Sequence, residues 1–215
     1  MNKRALIGLG QSGTFLVDHL AEFLSDTDYF CINSYEYNAT AAKYIPLENR
    51  FCFGQESGFA QCPKLALEFL EANLEIQKKM YTWLEQIFDV YDEVILGTFF
   101  TSGTGVGTLI DILRRYELID NKKNLGVIIC APLPPHHEYV QRKVELEYKE
   151  ISRYIKSYKY AIFLEYKDYG FSRVASEMLH FKRQNVLGIL QDQRFRDEQL
   201  VREINTSFCK AYKLA

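Results

Sequence analysis

The sequence predicts an α/β fold: a single three-layer domain built on a mainly parallel sheet of about six strands. Three observations carry that expectation. Short apolar runs of strand length alternate with longer segments whose apolar residues recur every three or four positions, as in strands buried between helices. Two of these runs pass into glycine-rich turns that open a helical segment, Gly8-Leu9-Gly10-Gln11-Ser12-Gly13 and Thr101-Ser102-Gly103-Thr104-Gly105-Val106-Gly107-Thr108. At 215 residues the chain is also long enough to bury one core without staples.

Taken in order, Ala5 to Leu9 is a buried strand, and Thr14 to Leu24 a helix with a broad apolar face. Tyr29 to Ser34 is the second strand, with Glu36 just beyond it. Arg50 to Gly54 is a short third strand, followed by a Gly/Ser/Pro-containing loop to Pro63. Leu67, Leu70, Leu74, Met80, Trp83, Leu84 and Ile87 step by helical spacing, predicting one long helix from Leu65 to Phe88. Val94-Ile95-Leu96 leads through Gly97 and Thr98 into the second glycine stretch, and Leu109 to Arg115 continues as a helix. Asn124 to Ala131 is the fifth strand. Pro134 and Pro135 make Leu133 to Glu138 a loop. Tyr139 to Tyr158 is an amphipathic helix and Tyr160 to Leu164 the sixth strand. From about Phe171 the chain reads as helical, with dense charge after Gln191.

Composition excludes several classes. A formal charge of −2, from 26 Lys and Arg against 28 Asp and Glu, gives no basic field for nucleic acid. The five cysteines are odd in number and lack Cys-x-x-Cys pairing, which argues for reduced thiols over a disulfide frame or zinc site. His136 and His137 are adjacent and point apart on an extended loop, so they make no metal pair. The N-terminus does not read as a signal peptide, and no apolar run approaches the ~20 residues of a membrane span. The expectation is a cytoplasmic protein with neither nucleic-acid nor membrane partners.

The chemistry lies in the glycine turns. A strand, a glycine-rich turn and a helix N-terminus in that order present free N–H groups and a positive dipole end to an anion. A flexible loop is the alternative. The first turn also spells G-x-G-x-x-G, the dinucleotide fingerprint, with Glu36 near the place of a ribose-binding acid. An NAD(P)-dependent Rossmann oxidoreductase built on Gly8, Gly10 and Gly13 is therefore one reading. It leaves the second turn unexplained and no room for a substrate domain.

Two such turns together resemble the nucleotide-binding domain of the tubulin/FtsZ superfamily. Gly10-Gln11-Ser12-Gly13 looks like tubulin's Gly-Gln-Cys-Gly, and Ser102-Gly103-Thr104-Gly105-Val106-Gly107 is similar to the signature Gly-Gly-Thr-Gly-Thr/Ser-Gly. Thr101 and Ser102 replace its leading glycines. Glu138 and Arg142 fall at the spacing of FtsZ's Glu-x-x-x-Arg, which the resemblance places at the ribose and near the nucleotide; an exposed i,i+4 ion pair is the other reading. Phe181-x-x-x-Asn185 resembles FtsZ's Phe-x-x-x-Asn, where the ring packs on guanine and an amide reads its edge. Core packing is the alternative for Phe181. Glu165-Tyr166 stands where the family has an asparagine, and Tyr166 could cover the base instead. Asn205-Thr206-Ser207-Phe208-Cys209-Lys210 resembles the loop that carries hydrolytic acids into the neighbouring subunit's site, with Ser207 and Lys210 where the acids belong.

The resemblance implies GTP or GDP binding with Mg²⁺ on the phosphates, through Gly10, Gln11, Ser12, Gly103, Thr104, Gly105, Val106, Gly107, Glu138, Arg142, Tyr166, Phe181 and Asn185. It also implies self-association into filaments or a protein partner, with hydrolysis weak or absent in this chain alone. The domain expected is 1–215, with the family's second domain absent. A module that keeps the fold without a ligand is a further alternative.

Overall fold

Strand faces set the architecture. Ala5, Ile7 and Leu9 point into one apolar cluster and Leu6 into another, so the first strand is covered on both sides. The computed structural model describes residues 3–22, 24–36, 39, 42–55, 58–116, 124–132, 138–154, 160–166 and 198–212. Its strands are β1 (Arg4–Leu9), β2 (Thr27–Asn33), β3 (Arg50–Cys52), β4 (Glu93–Phe99), β5 (Asn124–Pro132) and β6 (Tyr160–Tyr166). All pairings are parallel, in the order β3-β2-β1-β4-β5-β6, with Gly8 opposite Gly97. The helices among the described residues are α1 (Gly10–Leu20), α2 (Pro63–Ala72), α3 (Leu74–Val90), α4 (Gly103–Tyr116), α5 (Glu138–Ser152) and α6 (Glu198–Tyr212).

Leu16, Val17 and Leu20 of α1 cover one face of the sheet together with Ala39, Ala42 and Ile45. On the other face, α4 is the central helix. Its Leu109, Ile112 and Leu113 are fully buried, and α2, α3 and α5 contribute to the same cluster. A helix enclosed on nearly every side is apolar around most of its circumference, and here it is the helix that carries the second glycine motif.

The α/β parallel-sheet expectation holds, with four corrections. The helices expected from Thr14 to Leu24 and from Leu109 begin earlier, at Gly10 and Gly103, so the glycine stretches form their first turns, and the first helix ends at Leu20. The long helix expected over Leu65–Phe88 is two helices, broken at Asn73, whose φ of −115° and ψ of 65° are non-helical. The Asn73 side-chain amide donates to Phe69 O at 2.8 Å, alongside the backbone N–H of Asn73, which bonds the same carbonyl at 3.0 Å. The helix expected over Tyr139–Tyr158 ends at Ser152. Asn205–Lys210, expected as a loop, lies inside α6. Phe208 is its anchor, buried with its ring stacked on Phe100 and Phe163 at 5.9 and 5.5 Å.

Candidate functional site

Strand order reverses between β1 and β4, and both glycine turns leave the C-terminal ends of those two strands. That is the switch point, where open parallel sheets form their ligand crevice. Gly10 has φ +69°, a left-handed conformation that lets β1 pass into α1 without an intervening loop. A Cβ at Gly10 would lie 2.7 Å from Gly105 N, and one at Gly105 would lie 2.2 Å from Thr98 Oγ1 and 2.5 Å from Leu9 O. The two turns are therefore in backbone contact.

Within α4 the glycines divide their work by helical position. Gly105 faces the strand ends. Gly103 and Gly107, four residues apart on another face, receive the segment leading into α2: their Cβ atoms would meet Phe59 O at 2.7 Å and Pro63 O at 2.6 Å. The spacing that reads as a phosphate signature thus also wedges α4 between β1, β4 and α2. Ser102 caps the helix, accepting the Gly105 N–H on its hydroxyl at 3.1 Å. Val106 is fully buried, and its N–H already bonds Ser102 O. Among the described residues no acceptor meets the N–H groups of Gly103 and Thr104, or of Gln11 and Ser12 at the exposed start of α1. These donors are what the crevice offers an anion.

A buried polar chain runs behind the turns. Thr14 Oγ1 donates to Gly10 O at 2.8 Å and receives Asn33 Nδ2 at 3.4 Å. Asn33 Oδ1 accepts the Ser34 N–H at 2.9 Å, and the hydroxyls of Ser34 and Thr104 lie 2.9 Å apart. All four side chains are buried, so these bonds are made in low dielectric and link the end of β2 to both turns.

Two residues of α5 that sequence reading did not single out hold the second turn. Thr101 has φ +67°, an outlier for a β-branched residue, at the place where the resembling family has glycine. Glu147 Oε2 accepts its N–H at 2.6 Å, while the Thr101 carbonyl lies 3.5 Å from Lys143 Nζ. Lys143 Nζ also donates to the carbonyl of Gln61, whose φ is +57°. Glu147 is 6% exposed, and its Oε1 has no hydrogen-bond partner among the described residues. Burial pushes its carboxyl up to about 7, against the opposing pull of the Thr101 N–H and the Lys143 charge.

The remaining sequence-derived positions are dispersed. Glu138 and Arg142 are exposed on the first turns of α5, and no ion pair joins them among the described residues. Tyr166 ends β6, its side chain outside the described set; Phe181 and Asn185 lie outside the described residues altogether. Asn205 turns inward to β6: its Oδ1 accepts the Phe163 N–H at 3.0 Å and its Nδ2 donates to Ala161 O at 2.7 Å. Lys210 is exposed near the end of the same helix, and the Ser207 side chain is outside the described set. The described residues hold no cluster of three or more His, Cys, Asp or Glu suited to a metal. A surface groove of about 520 Å³ lined by Phe51, Trp83, Lys78 and Lys79 includes none of the turn residues.

A doubly wound parallel sheet with two glycine turns meeting at its switch point defines the class: an open α/β domain with an anion-type crevice. No protein-family model and no curated protein matches the sequence. Solved structures do match. They include CetZ from Methanosaeta thermophila strain DSM 6194 (17% identity, 89% of this chain and 54% of that one, TM-score 0.68). CetZ1 from Haloferax volcanii, as a GDP-bound monomer, matches at 17% identity, with 87% and 59% covered and a TM-score of 0.66. TubZ of Clostridium botulinum phage c-st matches at 18% identity, with 88% and 60% covered and a TM-score of 0.68. The chain has the fold of the tubulin/FtsZ nucleotide-binding domain. It spans 54% to 60% of the length of these three structures.

Proposed function

We propose that this chain binds a guanine nucleotide, GTP or GDP, with the phosphates on the first turns of α1 and α4. The observation that carries the reading is the backbone contact of Gly10 with Gly105, which brings two helix N-termini and their unpaired N–H groups to one crevice. Guanine is favoured by the neighbours: CetZ1 is a GDP-bound monomer, and TubZ of Bacillus thuringiensis serovar israelensis is a GTPγS-form protofilament. Self-association into filaments is part of the proposal on the same ground. Mg²⁺ on the phosphate oxygens, keeping several waters of its own, is part of the proposal. Glu138, Arg142, Tyr166, Phe181 and Asn185 are proposed to meet ribose and base.

Hydrolysis is proposed to be near zero in this chain alone. The segment that resembles the hydrolytic loop, Asn205–Lys210, lies inside α6 with Asn205 on β6 and Phe208 in the core, and it carries no carboxylate to orient water for a neighbour's nucleotide; general-base help is worth roughly 10²–10⁴-fold. The dinucleotide reading retains one specific support: Gly13 packs against Gly97 O as that fingerprint's third glycine packs helix on strand. Protein purified from cells, denatured and analysed for released small molecules by chromatography, separates the readings. Guanine nucleotide supports the proposal; NAD(P) contradicts it.

A further inference from the structure

Resting on the reading of α4 as the anion-binding turn, we propose that Glu147 is a positioning residue of that turn: its carboxylate, gripping the Thr101 N–H, holds the left-handed conformation from which α4 is launched.

Four observations converge on it. Thr101 sits at φ +67°, a conformation a β-branched side chain resists, so something must hold it. The bond from its N–H to Glu147 Oε2 is 2.6 Å, the short length of a charge-assisted hydrogen bond. Lys143, one turn earlier on α5, addresses the carbonyl of the same residue and that of Gln61, so both peptides flanking the Thr101 Cα are tied to one helix. Gln61 belongs to the segment that packs on Gly103, the first residue of α4. Thus α5 fixes both backbone segments that shape the start of α4, through two side chains of opposite charge.

The arrangement costs stability, which marks it as more than packing. Glu147 is a nearly buried carboxyl with one oxygen unsatisfied, where an apolar residue would be cheaper. Its carboxyl is raised to about 7, so its charge changes in the physiological range. Among the described residues, Lys143 is the charged group that acts on it electrostatically; Arg114 of α4 is engaged by Glu150 and Tyr154, and the Cys209 thiol of α6 lies against the Tyr148 hydroxyl. The ionised form grips the N–H most strongly, so the turn loosens as the proton is taken up.

The test follows the Thr101 amide by ¹⁵N–¹H NMR across about pH 5.5 to 8.5, alongside GDP affinity by calorimetry, in the wild type and Glu147→Gln. Glutamine keeps an acceptor for the N–H but cannot titrate. The wild-type amide should shift with a midpoint near that of Glu147, and the variant's should not. GDP affinity should fall about five-fold more from pH 8 to pH 6 in the wild type than in the variant, the nucleotide's own titration being common to both. A wild-type amide that stays fixed over this range, or an equal titration in the variant, overturns the proposal. If the variant fails to fold, the wild-type amide alone decides. If that amide titrates while GDP binds at no pH, the positioning role stands and the nucleotide reading fails.

Discussion

The backbone of Gly10 lies against that of Gly105, so closely that a methyl group on the first would stand 2.7 Å from the amide nitrogen of the second. Each glycine is there because the other turn is. The N-termini of α1 and α4 approach one crevice only because neither carries a side chain at the point of contact.

Gly105 is thereby a packing residue as well as a site residue, and loss of binding on its substitution is inseparable from loss of fold. A Cβ at 2.2 Å from Thr98 Oγ1 and 2.5 Å from Leu9 O has no room, because one of those atoms is strand backbone. We predict that Gly105→Ala lowers stability by about 3 kcal/mol or more, as overpacked cores do, and that Gly105→Val does not fold. Gly54 is the control. It has φ +79° with open space around its Cβ position, so Gly54→Ala should cost only about 1 kcal/mol. Denaturant melts of the three variants decide this, and a stable Gly105→Val would contradict the packing geometry.

The pH dependence of stability gives a second prediction. The folded-state pKa of Glu147 is raised from an ordinary 4.5 to about 7. Between those values the folded protein holds a proton that the unfolded chain has lost, so stability from this group falls as pH rises through the interval and is level above it. Glu147→Gln removes the dependence. The stability of the variant relative to wild type should rise by about 2–3 kcal/mol between pH 4.5 and 7.5. A relative stability that does not change with pH would show that Glu147 titrates at its ordinary value.

Asn205 gives a third. Its amide pairs with Phe163 N and Ala161 O as a neighbouring strand would, closing the outer edge of β6. Asn205→Ala leaves two backbone groups without partners and should cost about 2 kcal/mol, with nucleotide affinity unchanged. A variant of wild-type stability would remove the structural role assigned here.

What the sequence made legible follows from where each signal resides. The strands and their alternation with helices are local patterns, and they fall where periodicity puts them; both glycine stretches do follow strands, but they are the opening turns of α1 and α4 and not loops ahead of them. The break at Asn73 was missed although asparagine is a turn and cap residue, because the apolar spacing on either side continues almost in phase. Glu147 and Asp18 were invisible for a different reason. Asp18 accepts the backbone N–H groups of Lys43, Tyr44 and Ile45, and Glu147 that of Thr101, so their partners lie 25 to 27 and 46 residues away. In sequence, each is one acid on a helix. Asn205 was assigned through likeness to a family loop, whereas Phe208 and the β6 edge draw the same residues into a helix.

The central claim is that the two glycine turns form one phosphate site. Titrating GDP into ¹⁵N-labelled protein and following backbone amides tests it directly. The account predicts that the largest shifts fall together on Gln11, Ser12, Gly103 and Thr104, the N–H groups left open at the starts of α1 and α4, and saturate at one equivalent. Shifts confined to one turn, or concentrated elsewhere while these four amides stay fixed, would contradict it.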